Sequence, residues 1–425
     1  MAQKSWRMIK QKPVVQLVMT LFAICITVVV ILSAASNFTT TLNPGLAVAL
    51  NPLNTSARIY KLTDQFSKPT IDVETSNLKE LAIQGIMYDP LDARLFSLLG
   101  VANERQNNIG AAQKNYIQAL SLLPTEIHAL ERRFFYNLSA AKFVKAVSQA
   151  DIILRRWPAK WVDVQPYMPE LLRDKGAYDE ALKLFSINST GRQRLIFSLR
   201  RDQRSIAIAR RLIRDWHAQG IDDLQLSINF ITKRLIQIKD YLNAYRLFFG
   251  TLDSEKRRHS GYVFNGNFDL EPSGNQFDWQ VPNQAGLNAE IRKIRIEGNS
   301  AENFENVFMI KFLDSPVRFS RVLQSLILPP SNFTMKLTYS TQDLKTKKPI
   351  KFQIECRDKN TPLAAISFQP GNNEKKQIEI KFEVPVSNCT LQQLKISNDN
   401  FVESWKNRYS GTLLLHNIAI SLDGV

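Results

Sequence analysis

Between residues 192 and 214 the chain carries eight arginines, Arg192, Arg194, Arg200, Arg201, Arg204, Arg210, Arg211 and Arg214, with Asp202 and Asp215 as the only acids among them. A guanidinium is a planar fork of donors that matches carboxylate or phosphate two hydrogen bonds at a time. The run is therefore a candidate surface for an anionic partner, with a solvated helix face as the plain alternative. Trp279, Trp405 and Tyr409 are the aromatics placed to stack on a pyranose ring, or else to pack the core of their domain. Cys356 and Cys389 stand in the C-terminal part of the chain, and the third cysteine, Cys25, lies in an apolar run near the start.

Catalytic chemistry finds no pattern. His128, His217, His259 and His416 are scattered, and the sequence holds no His-Glu-x-x-His, no Gly-x-Ser-x-Gly and no glycine loop of the kind that cradles phosphate. The acid pairs Asp179-Glu180 and Asp222-Asp223 fall at helix starts or turns, where carboxylates favour the positive end of the helix dipole. The chain reads as a non-enzyme without cofactor or metal. A polysaccharide-modifying enzyme is the third-ranked alternative, since a glycosidase needs only two carboxylates that the fold brings together.

The elements that must position these residues begin with residues 14–35, apolar throughout and without charge. About 20 such residues span a bilayer as a helix, whereas a signal-peptide core is shorter. An uncleaved membrane helix is expected; Ser33-Ala34-Ala35, small residues of the kind found at cleavage sites, is the feature against it. Lys4, Arg7, Lys10 and Lys12 precede the span, and the first basic residue beyond it is Arg58. The positive-inside rule then makes residues 1–13 a cytoplasmic tail and places the bulk of the chain outside, and the expected location is the inner (cytoplasmic) membrane with the bulk of the chain periplasmic. The chain's net charge is +16, and the part of that excess that lies beyond the four basic residues of the tail argues for an anionic polysaccharide, lipid or protein in that compartment and against nucleic acid. Export also makes Cys356 and Cys389 a disulfide rather than two buried thiols. Closing that loop stabilises the fold by about 3–4 kcal/mol in the chain-entropy model.

Residues 36–75 are polar and weakly periodic, and read as a spacer with one short helix near 57–65. From residue 76 to about 256 the pattern is helical. Pro90, Pro124 and Pro158 are spaced by a constant 34 residues, and between the first two Phe96, Leu99, Gly100, Ala112, Tyr116 and Ala119 fill the offsets of a tetratricopeptide unit. Gly100 and Ala112 let the two helices approach, and Ala119 does the same for the next unit. Leu130, Phe134 and Ala146 mark a degenerate second unit. The run Gly176 to Leu182 with Phe185 marks the turn and second helix of a third, and Tyr241, Ala244 and Phe248 a later one. The stretch 192–216 is helical but poorly matched. A generic bundle of helical hairpins is the alternative. The resemblance to tetratricopeptide proteins implies an array that binds protein partners.

Beyond residue 261 the period changes to two. Nine strands are expected, at 290–296, 307–312, 322–328, 334–339, 350–356, 363–368, 377–384, 391–396 and 412–422, and short strands of this kind argue a two-sheet antiparallel sandwich. Cys356 is in phase with Ile350, Phe352 and Ile354 and so faces the core. The opening Asn265-Gly266-Asn267-Phe268 with Trp279, the Leu328-Pro329-Pro330 turn, and Val384-Pro385 before Cys389 resemble galactose-binding-like jelly-roll modules, the group that includes many carbohydrate-binding modules, over residues 262–425. Such a domain follows repeat regions in bacterial envelope and exopolysaccharide-associated proteins. In the last strand, where many such modules carry an acidic residue, this chain has His416-Asn417. The expected fold class is thus multi-domain α + β: a single transmembrane helix, an α-solenoid of tetratricopeptide-like repeats, and an antiparallel jelly-roll sandwich. The expected role is a membrane-anchored extracytoplasmic scaffold for protein assembly, with a carbohydrate-binding protein that holds an anionic polysaccharide at the membrane as the runner-up.

Overall fold

A computed structural model of the chain describes residues 2–67, 72–281, 284–295, 304–319, 322–358, 360–398 and 408–423. It divides into two compact units, residues 1–181 and 182–425.

The first unit opens with one unbroken helix, Ala2–Thr39. At about 1.5 Å per residue it exceeds what a hydrocarbon core of about 30 Å requires. Its Val15–Thr39 portion is long and apolar enough to cross a membrane, and every side chain from residue 15 to 32 is exposed. The hydroxyls of Thr20 and Thr27 donate to the carbonyls of Gln16 and Ala23, both at 2.8 Å, so the polar interruptions are satisfied within the helix itself.

The stretch read as a spacer carries more helix than expected. Beside the anticipated helix, now Thr55–Ser67, there is a helix at Pro44–Leu50, and another, Asp72–Tyr88, starts before residue 76. Asn43 caps the first of these from its side chain, ahead of Pro44 at the first helical position. A hydrogen-bond knot ties this region to the end of the long helix. The fully buried Ser36 donates to the Ala47 carbonyl at 2.7 Å, and Asn54 Nδ2 donates to Ser36 Oγ at 2.8 Å and to Thr40 Oγ1 at 3.0 Å. Asn54 also caps Thr55–Ser67 through Ala57 N–H.

Helices Ala93–Arg105 and Ile109–Leu122 form the first repeat hairpin. Asp92 and Asn108 cap them, and Asn107 takes the positive φ of the turn. A side-chain carbon added at Gly100 would strike the edge of the Tyr116 ring at Cε1, while Ala112, Tyr116 and Ala119 are fully buried. Ile127–Ser139 and Phe143–Arg156 form the second hairpin, centred on buried Phe134, Ala146 and Ala150. The third lacks a full first helix. Pro158, Pro166 and Pro169 break residues 158–171 into single turns, since proline removes a helical donor and clashes with the preceding turn. Its second helix is present as Lys175–Leu184 with Ala177, Tyr178 and Ala181 buried.

In the second unit the poorly matched stretch forms two helices, Ser189–Ser198 and Gln203–Ala218, which both pack on the first helix of a hairpin of Gln225–Gln237 and Tyr241–Gly250. Nine strands follow among the described residues: β1 (Leu287–Arg295), β2 (Phe304–Pro316), β3 (Val322–Leu326), β4 (Ser331–Lys345), β5 (Ile350–Cys356), β6 (Thr361–Ser367), β7 (Gly371–Val384), β8 (Gln392–Asn398) and β9 (Arg408–Leu422). They build an antiparallel sandwich of two sheets, ordered β1-β2-β9-β4-β7 and β3-β8-β5-β6. Inward residues alternate as the sequence implied: Phe352 pairs with Ile396 and Ile354 with Leu394, all fully buried. Cys356 and Cys389 are joined in a disulfide at the core edge, their Cα atoms 5.0 Å apart. The Asn-Gly opening fastens onto the last strand. Gly266 accepts from Ile418 N–H at 2.9 Å, and any side chain there would strike the Ile418 carbonyl.

The Gly100 contact yields a direct test. Gly100→Ala should lower stability by about 1–3 kcal/mol, because the buried ring has nowhere to go. Gly110→Ala, which meets open space at the start of its helix, should be neutral or gain up to about 1 kcal/mol. Equal effects in urea unfolding of the two variants would contradict this packing.

Candidate functional site

The arginine run does not form one surface. Arg192 lies on the inner face of Ser189–Ser198 and is 3% exposed. It donates to the carbonyls of Phe185 (3.0 Å) and Ser186 (2.6 Å), pairs with Asp223, and sits 5.8 Å from the Trp216 ring. A buried guanidinium is tolerated only with such partners, so Arg192 is a structural strut and not a binding residue. Arg211 and Arg214 flank Asp215 at 3.6 and 3.5 Å. Arg194 and Arg210 are half-buried, and Arg204 is exposed in the first turn of its helix, behind the Asp202 cap.

Arg200 and Arg201 have a different setting. They occupy the loop between Ser189–Ser198 and Gln203–Ala218, and with Phe230, Lys233, Arg234 and Gln237 they line a groove of about 460 Å³. The last four follow one another at i, i+3, i+4 and i+7 in the helix Gln225–Gln237, the spacing of a single helix face. Arg234 is held in place: its Nε donates to the Arg200 carbonyl and its Nη1 to Gln237 Oε1, both at 3.1 Å. Among the described residues no carboxylate pairs with Arg200, Arg201, Lys233 or Arg234. The Phe230 ring lies against Phe197, centroids 4.4 Å apart. Sequence reading missed Lys233 and Arg234. Their helical spacing was visible, but nothing in the sequence brings the loop between the two preceding helices beside them.

The aromatic candidates fare differently. Trp279 is fully buried, packed with Phe268 and Phe308 at 5.6 and 6.4 Å, and its Nε1 donates to the Asn265 carbonyl at 3.1 Å. Tyr409 is fully buried beside Phe312. Neither presents a face to a sugar, and both expectations are corrected: the rings serve the core. Trp405 lies outside the described residues. Accessible rings occur elsewhere, around a hollow of about 510 Å³. There Tyr245 and Phe249 stack at 5.7 Å, Tyr262 lies at the rim, and Phe248, Phe264 and Phe277 form the floor. Burial raises the Tyr245 hydroxyl above its ordinary pKa, keeping it neutral.

One constellation escaped the sequence altogether. On the outer face of the five-stranded sheet, His416 Nε2 lies 2.8 Å from Ser340 Oγ, and Nδ1 lies 2.9 Å from Glu305 Oε1. Lys375 Nζ holds the other Glu305 oxygen at 2.6 Å. The four residues come from β4, β9, β2 and β7. The register of β9 against β4 shifts between Thr338 and Tyr339, which leaves His416 as the extra residue of a bulge. With Nδ1–H donating to the carboxylate, Nε2 accepts from the serine hydroxyl. This is the hydrogen-bond order of a serine hydrolase. Ser340, however, stands mid-strand with a paired neighbour on either side, and no sharp turn presents backbone N–H groups there to an oxyanion. The chain of bonds satisfies a buried imidazole and fixes the bulge. Among the described residues no group of three His, Cys, Asp or Glu could hold a metal ion.

Burial pushes the His416 imidazole below its ordinary 6.5, against the pull of Glu305. Burial also raises the Glu305 carboxyl, but Lys375 and His416 outweigh it and hold the group below 4.5. A histidine depressed by folding contributes fully above about pH 6.5 and loses that contribution as pH falls below it; the glutamate's contribution is lost further down, below about pH 4.5. The melting temperature should therefore fall between about pH 7 and pH 4, and His416→Gln should flatten the upper part of that fall. An unchanged slope in the variant would contradict the assignment.

No protein-family model matches the chain, and none of the curated proteins matches it. Among solved structures it is similar to a carbohydrate-binding module, CBM4 (14% identity, 38% of this chain and 99% of that one, TM-score 0.28). It is also similar to TmCBM61 in complex with β-1,4-galactotriose (12% identity, 39% and 99%, TM-score 0.23). A third likeness is to PilF of Pseudomonas aeruginosa (15% identity, 45% and 88%, TM-score 0.26). At these scores the likeness carries no argument, and the functional reading rests on the residues.

Proposed function

We propose that the chain is a membrane-anchored, extracytoplasmic scaffold for protein assembly, with envelope or exopolysaccharide biogenesis as its setting, and that it binds rather than turns over its partners. The observation that carries this is the knot of Ser36, Thr40, Ala47 and Asn54. An apolar helix with every side chain from residue 15 to 32 exposed needs a lipid environment, since so large an apolar surface is costly in water. The knot joins the end of that helix to the following helices without a flexible joint. The disulfide supports an oxidising, extracytoplasmic compartment for the sandwich. The close-packed hairpins supply rigid helical faces for partners.

A second reading, a carbohydrate-binding protein that holds an anionic polysaccharide at the membrane, is favoured by the hollow beside Tyr245, Phe249 and Tyr262. Aromatic faces stack on sugar rings, and the net charge of +16 suits an acidic polymer.

Protease added to intact spheroplasts should degrade the bulk of the chain, and crosslinking in native membranes should capture a protein partner that persists after glycan digestion. Protection until the membrane is lysed would overturn the topology. Captured material that disappears on glycan digestion would favour the second reading over the first.

A further inference from the structure

The geometry points to the groove of Arg200, Arg201, Phe230, Lys233 and Arg234 as a binding site for a carboxylated saccharide, a segment of a uronic-acid-bearing polymer. The inference deepens the second reading above and rests on it.

Three features carry it. The first is uncompensated charge. Four cations converge on one groove of about 460 Å³, and no described carboxylate neutralises any of them. Elsewhere in the same run three arginines have acidic partners: Arg192 has Asp223, and Arg211 and Arg214 have Asp215. Like charges gathered on one groove raise the local positive potential, which draws an anionic ligand to it. The second is preorganisation. Arg234 is oriented by the Arg200 carbonyl and by Gln237, so part of the entropy of ordering a long side chain is already lost before a ligand arrives. Those two bonds use its Nε and Nη1 and leave Nη2 for a ligand oxygen.

The third is the Phe230 ring, which separates carboxylate-bearing rings from other anions. It adds one apolar face to a cationic groove, matching a pyranose that presents C–H groups on one side and a carboxylate at its edge. A bare phosphate would leave that face uncovered. An arginine cluster also recognises acidic peptide motifs, but their carboxylates leave the Phe230 face without a ring to cover it. Its volume lies within the range of about 300–1,000 Å³ usual for small-ligand sites, room for a short stretch of a polymer that continues beyond the groove.

The test uses the full chain in lipid nanodiscs. It is titrated with an oligogalacturonate, and with an uncharged cello-oligosaccharide, oligoglutamate and inorganic phosphate for comparison. The oligogalacturonate should bind, with affinity falling steeply as salt rises, and the uncharged oligomer should bind more weakly. Arg201→Glu with Lys233→Glu should weaken oligogalacturonate binding by about tenfold or more, with the melting temperature unchanged. Phe230→Ala should weaken the oligogalacturonate but not oligoglutamate. If the charge-reversed protein does not fold, Arg201→Gln with Lys233→Gln replaces it, with the same direction expected. Full binding by the charge variant overturns the groove assignment while the second reading stands. No oligogalacturonate binding by the unaltered chain overturns both. Tighter binding of oligoglutamate, lost in the same variant, would make the groove a site for acidic polypeptide. Displacement by phosphate at matching concentration would make it a simple anion site.

Discussion

The burial of Ser36 is the constraint on which the first unit depends. Its hydroxyl donates to the Ala47 carbonyl and accepts from Asn54, while Asn54 also reaches Thr40 and caps the next helix. A buried hydroxyl without partners costs about 1–3 kcal/mol, so these groups fix one another. Removing the Asn54 side chain takes a donor from both Ser36 and Thr40 and the cap from the next helix. The result is a short, polar, fully satisfied junction directly after a long apolar helix. A flexible tether would leave the following hairpins free to tumble, whereas this junction gives the helix and the first hairpins a defined geometry.

Within the second unit the same kind of accounting decides what each arginine does. A guanidinium turned inward must find acceptors for its fork, and Arg192 finds two carbonyls and Asp223. One turned outward is solvated and needs none, so an exposed arginine can be left without a carboxylate at little cost. Arg200 and Arg201 are in that position, and the helix Gln225–Gln237 adds Lys233 and Arg234 beside them. Charge of one sign accumulates because nothing in the fold requires it to be paired. Burial likewise removes Trp279 from any role in binding, since a fully enclosed ring whose N–H is spent on Asn265 has no face left.

Much of the fold was legible because it rests on period. The nine alternating segments became nine strands, and the phase of Cys356 with Ile350, Phe352 and Ile354 placed it in the core with Cys389. Gly100 and Tyr116 met because small and large residues at repeat offsets must interlock. What was not legible depends on neighbours far away in sequence. The inward turn of Arg192 is set by a helix face only one residue from the outward one. Lys233 and Arg234 matter because a loop between two other helices lies beside them. His416 meets Ser340 and Glu305 only because a bulge re-aims it across three strands, and no spacing in the sequence announces a bulge. The broken third repeat was legible in principle, since Pro158, Pro166 and Pro169 stand in the segment that would have been its first helix.

The account turns on the long helix remaining joined to the unit that follows it. Mass spectrometry of the mature protein purified from its native membrane tests this most directly. The expected result is a continuous peptide that runs through Ser33, Ala34, Ala35 and Ser36, with Ser36 internal and its junction intact. A mature N-terminus created within Ser33 to Ser36 would mean that the helix is removed, and would contradict the anchored scaffold.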